Sequence, residues 1–275
     1  LTVLSPTTIS FHNNLGLLYT LQNRLPEAIL SYEKALQLDS TYVMAYYNLA
    51  NLYKQQNNLK KATECYQKVI SLQPDHFDAY NNLGNLLLNH SYVQEAETIF
   101  LQLLAMGHHT PEVYNNLGVI MHHHYKMEES IEYLKKAIVI NPHFVNAYNN
   151  LANVFYTTGA WKEAEKYFKH SLELAPTYGA TYYNYANLLR DQGKLPLALE
   201  YLRKAIQHMP GYFAAGHNLL FYLLYDPNLS QEKLFEEYCH WAHRTEQLLT
   251  PLVSFYPQSR EPQRRLKIGY ITRYF

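Results

Sequence analysis

The sequence predicts an all-α protein, a solenoid in which repeated pairs of antiparallel helices stack into an α-α superhelix. The segment AYNNLANVFY, which begins at Ala147, returns in related form every 34 residues along most of the chain. A fixed period between about 20 and 50 residues is typical of repeat architectures, and no insertion or deletion interrupts this one. Within each copy apolar residues stand three and four positions apart, as one packed face of an α-helix requires. These observations favour stacked helix pairs.

A column of asparagines fixes the register of the repeats. Seven asparagines are spaced by 34 residues: Asn14, Asn48, Asn82, Asn116, Asn150, Asn184 and Asn218. When each repeat is numbered so that this asparagine is position 6, six repeats of 34 residues occupy residues 9–212.

Each repeat contains two amphipathic segments, which we call helix A and helix B. Helix A carries Tyr, Leu, a small residue and a large residue at positions 4, 7, 8 and 11, and helix B carries small, aromatic and small residues at positions 20, 24 and 27. Examples are Tyr80, Leu83, Gly84 and Leu87 in helix A, and Ala28, Tyr32 and Ala35 in helix B. This pattern resembles the tetratricopeptide repeat, whose 34-residue unit is a pair of antiparallel helices.

The turns between helices are also visible in the sequence. Position 15 is Asn or Gly in several repeats, and these residues tolerate the left-handed backbone that ends a helix. Proline at position 18 suits the first turn of helix B, and proline at position 32 stops that helix. Position 15 is occupied by Asn23, Asn57, Gly159 and Gly193, position 18 by Pro26 and Pro196, and position 32 by Pro74, Pro142, Pro176 and Pro210.

The repeat register also predicts the organisation of both ends. Pro6 falls in the register of position 32, so we expect residues 1–8 to be the tail of a preceding repeat, and the chain to be an excerpt from a longer solenoid. Residues 213–249 are expected to form capping helices, the second of which begins after Ser230. The proline-bearing residues 250–265 are expected to be a linker, and residues 266–275 a β-type segment.

Bulk composition excludes several classes of function. The 23 basic and 23 acidic residues balance, so no electrostatic footprint for nucleic acid exists. No run of about 18 apolar residues indicates a membrane span, and the first residues do not resemble a signal peptide. Cys65 and Cys239 lack the spacing of a disulfide framework and are interpreted as free thiols in a reducing compartment. We therefore expect a cytoplasmic protein.

The last sixty residues resemble the junction found in the SPINDLY-type O-GlcNAc transferases. The segment RRLKIGYITRYF is similar to the first strand of the catalytic domain of that family, with matches at 265–270 and at Phe275, whereas Tyr274 stands where the family usually has aspartate. The resemblance implies transfer of N-acetylglucosamine, or in some plant relatives fucose, from a nucleotide sugar such as UDP-GlcNAc to Ser or Thr of proteins. The catalytic histidine of the family would lie beyond Phe275, so we expect no catalytic residue, no cofactor and no activity in this chain itself.

The asparagines are the predicted binding site. Position 6 shares a helix stripe with positions 2, 9 and 13, which line the concave side of such a superhelix. A carboxamide offers two donors and an acceptor, so it can pair with the N–H and C=O groups of an extended peptide. Position 9 doubles the column with Asn51, Asn85, Asn153 and Asn187. The resemblance implies the same role, since the superhelix of that family has an asparagine ladder on its inner face. An alternative is that asparagine merely suits position 6 of the repeat.

Other candidate sites are weaker. The run His122, His123 and His124 invites a metal interpretation, but consecutive residues point about 100° apart on a helix and cannot converge on one ion. A polar turn is the better interpretation, although His123 at position 13 could face the groove. Cys239 and its histidine neighbours offer three ligands without a fourth, so no metal site is predicted.

Two functions are compatible with these features. The first is the region of a protein O-glycosyltransferase that recruits extended protein substrates, and the second is a stand-alone adaptor for protein–protein interaction. A truncated remnant without function is a third interpretation. Adaptors that clamp a terminal carboxylate use paired cations on helix A, whereas here Lys54 and Arg190 lie far apart in the stack. Neither nucleic acid nor membrane is expected as a partner, and the repeats could also mediate self-association.

Overall fold

The computed structural model describes residues 6–249, and in that part of the chain it contains only α-helices and their connecting turns. The helices are α1 (Pro6–Leu21), α2 (Leu25–Leu38), α3 (Val43–Gln55), α4 (Leu59–Leu72), α5 (Phe77–Asn89), α6 (Val93–Ala105), α7 (Pro111–His123), α8 (Met127–Ile140), α9 (Val145–Thr157), α10 (Trp161–Leu174), α11 (Gly179–Asp191), α12 (Leu195–His208), α13 (Phe213–Leu223) and α14 (Gln231–Leu249). The all-α prediction is confirmed.

The helices pair in chain order and stack in one direction. The odd-numbered helices up to α13 are the predicted A helices. Those from α1 to α11 each pack most extensively on the B helix that follows, whereas α13 packs mainly on α12. Successive A helices also contact one another directly across repeats, as in α7 with α9 and α9 with α11, whereas successive B helices make no comparable contact in residues 6–249. The A helices therefore form the tighter, inner layer of the stack, and the B helices form the outer layer.

The predicted helix ends are confirmed by the backbone. Position 15 has a positive φ at Asn23, Asn57, Gly159 and Gly193, and also at two residues that the sequence did not single out, Ser91 (66°) and Tyr125 (58°). The four position-32 prolines each follow the last residue of a B helix by two places. Turn geometry is thus imposed by the repeat even where the side chain is unfavourable for it.

The core of each repeat is made where position 24 meets position 8. A Cβ atom added to Gly84 would lie 2.6 Å from the ring of Phe100, and one added to Gly16 would lie 2.6 Å from Tyr32. Both rings are almost completely buried. These rings fill the space against helix A of their own repeat. The absence of a Cβ at position 8 allows this close approach.

The two ends of the stack differ from the regular repeats. Helix α1 begins at Pro6, three residues before the predicted start of the first repeat at Ile9, because a proline is favoured in the first turn of a helix. At the other end α14 begins after Ser230, as predicted, and Trp241 packs on Gly216 of α13. The predicted linker at 250–265 and the β-type segment at 266–275 lie outside the described residues. None of the helices between residues 6 and 249 combines the length and apolarity needed to cross a bilayer.

Candidate peptide-binding groove

The position-6 asparagines form hydrogen bonds between neighbouring repeats. From the second repeat onward each carboxamide nitrogen donates to a side chain of the preceding A helix, and the side chains are half-buried. The bonds are Asn48 to Asn13 (2.9 Å), Asn82 to Tyr47 (2.9 Å), Asn116 to Asn85 (2.8 Å), Asn150 to Asn115 (2.9 Å), Asn184 to Asn149 (3.0 Å) and Asn218 to Asn187 (3.1 Å). We call these six bonds the inter-repeat clasps. The column is therefore held against the preceding repeats. Two of its oxygens also accept within their own repeats, that of Asn116 from Asn115 (3.4 Å) and that of Asn150 from Asn149 (3.3 Å).

Most partners of the clasps stand at position 5, which the sequence pattern did not single out. Four of the six acceptors belong to position 5, directly before the asparagine column, at Asn13, Tyr47, Asn115 and Asn149. Three of these are buried asparagines, with 5–6% of their surface exposed. The signal was present in the doubled Asn-Asn of several repeats, because the first asparagine accepts where the second donates. Tyrosine replaces the first asparagine in the second repeat and supplies a hydroxyl oxygen instead.

The fourth repeat departs from this register. Asn116 donates to position 9 of the preceding repeat, at Asn85, and the position-5 oxygen of Asn81 is buried without a hydrogen-bond partner among the described residues. An unpaired buried carbonyl oxygen costs about 1–3 kcal/mol. The two candidate acceptors for Asn116 are thus one turn apart on α5, and only one is used.

The position-9 asparagines are used unevenly. The oxygen of Asn51 accepts from the Tyr66 hydroxyl (2.6 Å), and the oxygen of Asn187 accepts from both Asn218 and the Tyr222 hydroxyl (2.7 Å). Two of the predicted site residues differ from the rest. Among residues 6–249 the carboxamides of Asn14, in the first repeat, and of Asn153, in the fifth, form no hydrogen bond.

Lys54 changes the chemistry of the third repeat. Its ammonium donates to the Asn82 oxygen at 3.0 Å, so that both the oxygen and one N–H of Asn82 are engaged. Burial lowers the pKa of Lys54. The surrounding open cavity has a volume of about 740 Å³ and is lined by Lys54, Gln55, Asn57, Asn82, Asn85, Leu86, Asn89 and His90.

The last regular repeat contains a charged network. Arg190 forms an ion pair with Asp191 (2.7 Å) and donates to the Tyr222 hydroxyl (2.8 Å), and the Tyr156 hydroxyl donates to Asp191. Burial, and then the hydrogen bond to Asp191, raises the pKa of Tyr156 to about 12. Arg190 is therefore paired with Asp191 and links α11 to α13 through Tyr222. Its charge is used within the stack and is not available for a carboxylate clamp.

The histidine run does not form a metal site. His122 lies within 3.0 Å of the Thr157 hydroxyl, His123 is exposed, and His124 faces Glu97 at 3.6 Å, so the three rings have different surroundings. Burial, and then the neighbouring His123, lowers the pKa of His122. Within residues 6–249 no group of three or more His, Cys, Asp or Glu side chains is arranged to hold a metal ion.

Comparison with known proteins identifies the family. Models described as tetratricopeptide repeats match residues 16–57, 43–76, 65–98, 126–159 and 143–211. No curated protein matches the chain by sequence. The helix pairs, their inner layer and these matches define a repeat scaffold of stacked α-hairpins. The chain belongs to the tetratricopeptide repeat proteins.

Solved structures share this fold at low sequence identity. A tetratricopeptide repeat protein from Parabacteroides merdae has a TM-score of 0.68 at 19% identity, covering 80% of this chain and 86% of its own. PilW, described as a type IV pilus biogenesis factor, has a TM-score of 0.65 at 21% identity, covering 78% and 100%. The APC/C assembly Cut9–Hcn1 has a TM-score of 0.65 at 18% identity, covering 79% and 43%, so the chain spans less than half of that relative. At these identities the likeness establishes the fold alone.

Proposed function

We propose that this protein binds extended segments of other proteins along the inner layer of A helices, through the carboxamides of the asparagine column. The observation that carries the proposal is the arrangement of the clasps. From Asn48 to Asn184 each clasp uses only one of the two N–H groups of a position-6 carboxamide, and the side chains are half-buried. The Asn218 nitrogen differs, because it donates both to Asn187 and to the Tyr183 hydroxyl. A remaining N–H and, at Asn48 and Asn184, the oxygen stay available for a ligand.

The clasps assist such binding because they orient the carboxamides before a ligand arrives. A free asparagine side chain on a surface must lose rotational freedom when it binds, which costs about 0.5–1.5 kcal/mol per ordered side chain. A carboxamide already held by the preceding repeat has lost that freedom on folding. A fixed row of N–H groups, with free oxygens at Asn48 and Asn184, can then pair with the groups of an extended backbone, whatever the sequence of the peptide.

The expected affinity is modest. A net hydrogen bond contributes about 1 kcal/mol, whereas association costs roughly 4–15 kcal/mol. A row of this kind therefore binds at micromolar level or more weakly, and side-chain contacts supply additional selectivity.

Asn153 provides a test that separates binding from folding. Its carboxamide takes part in no clasp, so Asn153→Ala should leave thermal stability unchanged while lowering the affinity for terminally blocked, unstructured peptides. The exposed Gln67 carries an amide on α4 in the outer layer, and Gln67→Ala is the matched control for loss of a side-chain amide away from the groove. Unchanged affinity in a folded Asn153→Ala protein, together with unchanged affinity in Asn184→Ala, would contradict backbone recognition by the column.

A finer role for the same groove is substrate recruitment for a protein O-glycosyltransferase. The support is the sequence of residues 265–275, which resembles the start of the catalytic domain in the SPINDLY-type enzymes. Mass spectrometry of the protein isolated from its source cells would determine whether a glycosyltransferase domain follows. Donor hydrolysis by that full protein, with UDP-GlcNAc as the probe, would then test the activity.

The alternative role is a stand-alone adaptor. It is favoured by α14, which covers α13 through the packing of Trp241 against Gly216, because a stack needs a covered end to be soluble by itself. A protein that ends near residue 275 and retains peptide binding would support the adaptor and contradict the transferase role.

A further inference from the structure

The cavity around Lys54 has a surplus of hydrogen-bond donors. The oxygens of Asn82 and Asn85 both lie at this cavity, and each already accepts a hydrogen bond from the protein, from Lys54 and from Asn116 respectively. What these two carboxamides still offer is N–H. A ligand that reaches Lys54, Asn82 and Asn85 together is therefore matched best by acceptor atoms.

The charge of the cavity has the same consequence. None of the described residues that line it is acidic, and Lys54 forms no ion pair with a carboxylate in residues 6–249. An ammonium has three N–H donors, and one of those of Lys54 donates to the Asn82 oxygen. Two charged donors and the spare N–H groups of the carboxamides are left around one space.

The pKa of Lys54 agrees with an unpaired cation. It is lowered by burial alone, and no carboxylate raises it. The other inner-layer cation, Arg190, shows the contrast, since it is paired with Asp191. Of these two, Lys54 is the one whose charge has no partner within the stack.

We propose that the cavity lined by Lys54, Asn82, Asn85 and Asn89 binds an acidic side chain, Asp or Glu, of the extended segment that occupies the groove. This inference rests on the proposed function, since it specifies which segments the groove selects. The stack continues on both sides of the cavity, with α1–α2 before it and α6 onward after it, so a chain can pass through without ending there. We therefore assign an internal side chain rather than a terminal carboxylate. A carboxylate satisfies several donors at once, and hydrogen bonds of this charged kind are the stronger class.

The test uses pairs of peptides with acetylated and amidated ends that differ only by Glu against Gln, with the pair moved one position at a time along the peptide. At one position the wild-type protein should prefer Glu by about fivefold, as expected for a partly exposed charge pair. Lys54→Met should abolish that preference, mainly by weakening binding of the Glu peptide, whereas Lys54→Arg should retain it. Lys60→Met, on the exposed face of α4, is the matched control and should keep the preference.

The outcomes separate this inference from the proposed function. If peptides bind but no position favours Glu, or if the preference survives in a folded Lys54→Met protein, the acidic-residue site is refuted while backbone binding stands. If only peptides with a free carboxyl end bind, an internal side chain is also refuted. If neither member of any pair binds, the proposed function itself fails.

Discussion

Substitution of Asn149 tests how much the inter-repeat clasps contribute to stability. Its oxygen accepts from the Asn184 carboxamide at 3.0 Å and from the Thr181 hydroxyl at 3.2 Å, and only 5% of its surface is exposed. Asn149→Ala removes both bonds at the contact between α9 and α11. At about 1 kcal/mol for each net hydrogen bond, the free energy of unfolding should fall by about 2 kcal/mol. For a chain of this size that corresponds to a melting temperature lower by about 4–8 °C.

The assay is urea and thermal unfolding followed by circular dichroism, with Asn146→Ala on the same helix as control. A double-mutant cycle between Asn149 and Asn184 should show a coupling energy of about 1 kcal/mol, because the two side chains share one bond. Since stability in a stack is carried by contacts between neighbours, hydrogen exchange should accelerate most at this boundary. A variant as stable as the Asn146→Ala control, or a cycle with no coupling, would refute the account of the clasps.

Three further predictions concern other parts of the stack. Gly216→Ala would place a Cβ atom 2.0 Å from the ring of Trp241, so the substitution should displace α14. The free energy of unfolding should fall by about 1–3 kcal/mol and the tryptophan emission should shift to the red. Unchanged emission would contradict the packing of Trp241 on Gly216. Tyr125 has a left-handed backbone, with φ of 58°, and its ring is 81% exposed. Because asparagine tolerates this backbone better than tyrosine, Tyr125→Asn should raise the free energy of unfolding by about 0.5–1 kcal/mol. A loss of stability in thermal unfolding would show that the ring makes a stabilising contact. Burial raises the pKa of Cys65 to about 11, so this thiol stays protonated at neutral pH. Cys65 should therefore react with a thiol reagent far more slowly than the exposed Cys239. Equal rates in the native protein would contradict this and show that α4 opens readily.

The sequence was sufficient for the fold because the repeat states each constraint many times. The left-handed turns at position 15 were predicted from Asn23 and Gly159, and they extend to Tyr125, where the residue itself would not have indicated one. The starts of the helices follow the same 34-residue register from α3 to α13. The start of α1 was wrong by three residues, because a proline can either end a helix or begin one, and at Pro6 it begins one.

The site was harder to predict because its chemistry depends on contacts between repeats. The asparagine column was visible, but which atoms of each carboxamide are engaged depends on residues 31 or 35 positions earlier, as in Asn116 with Asn85 and Asn150 with Asn115. No periodicity distinguishes these two choices. The donors that remain free around Lys54 likewise depend on contacts between α3 and α5, and a lysine at position 12 does not indicate them in the sequence.

The central claim is that fixed carboxamides recognise the backbone of an extended segment. The most direct measurement compares the affinity of one blocked peptide with two derivatives, one whose sequence is permuted and one whose alternate backbone amides are N-methylated. Because N-methylation removes the backbone donors and leaves the side chains in place, the account predicts a loss of about fivefold or more for each amide that meets the column, and a much smaller effect of permutation away from Lys54. Equal affinity for the methylated peptide, with binding that follows the side-chain order instead, would contradict it.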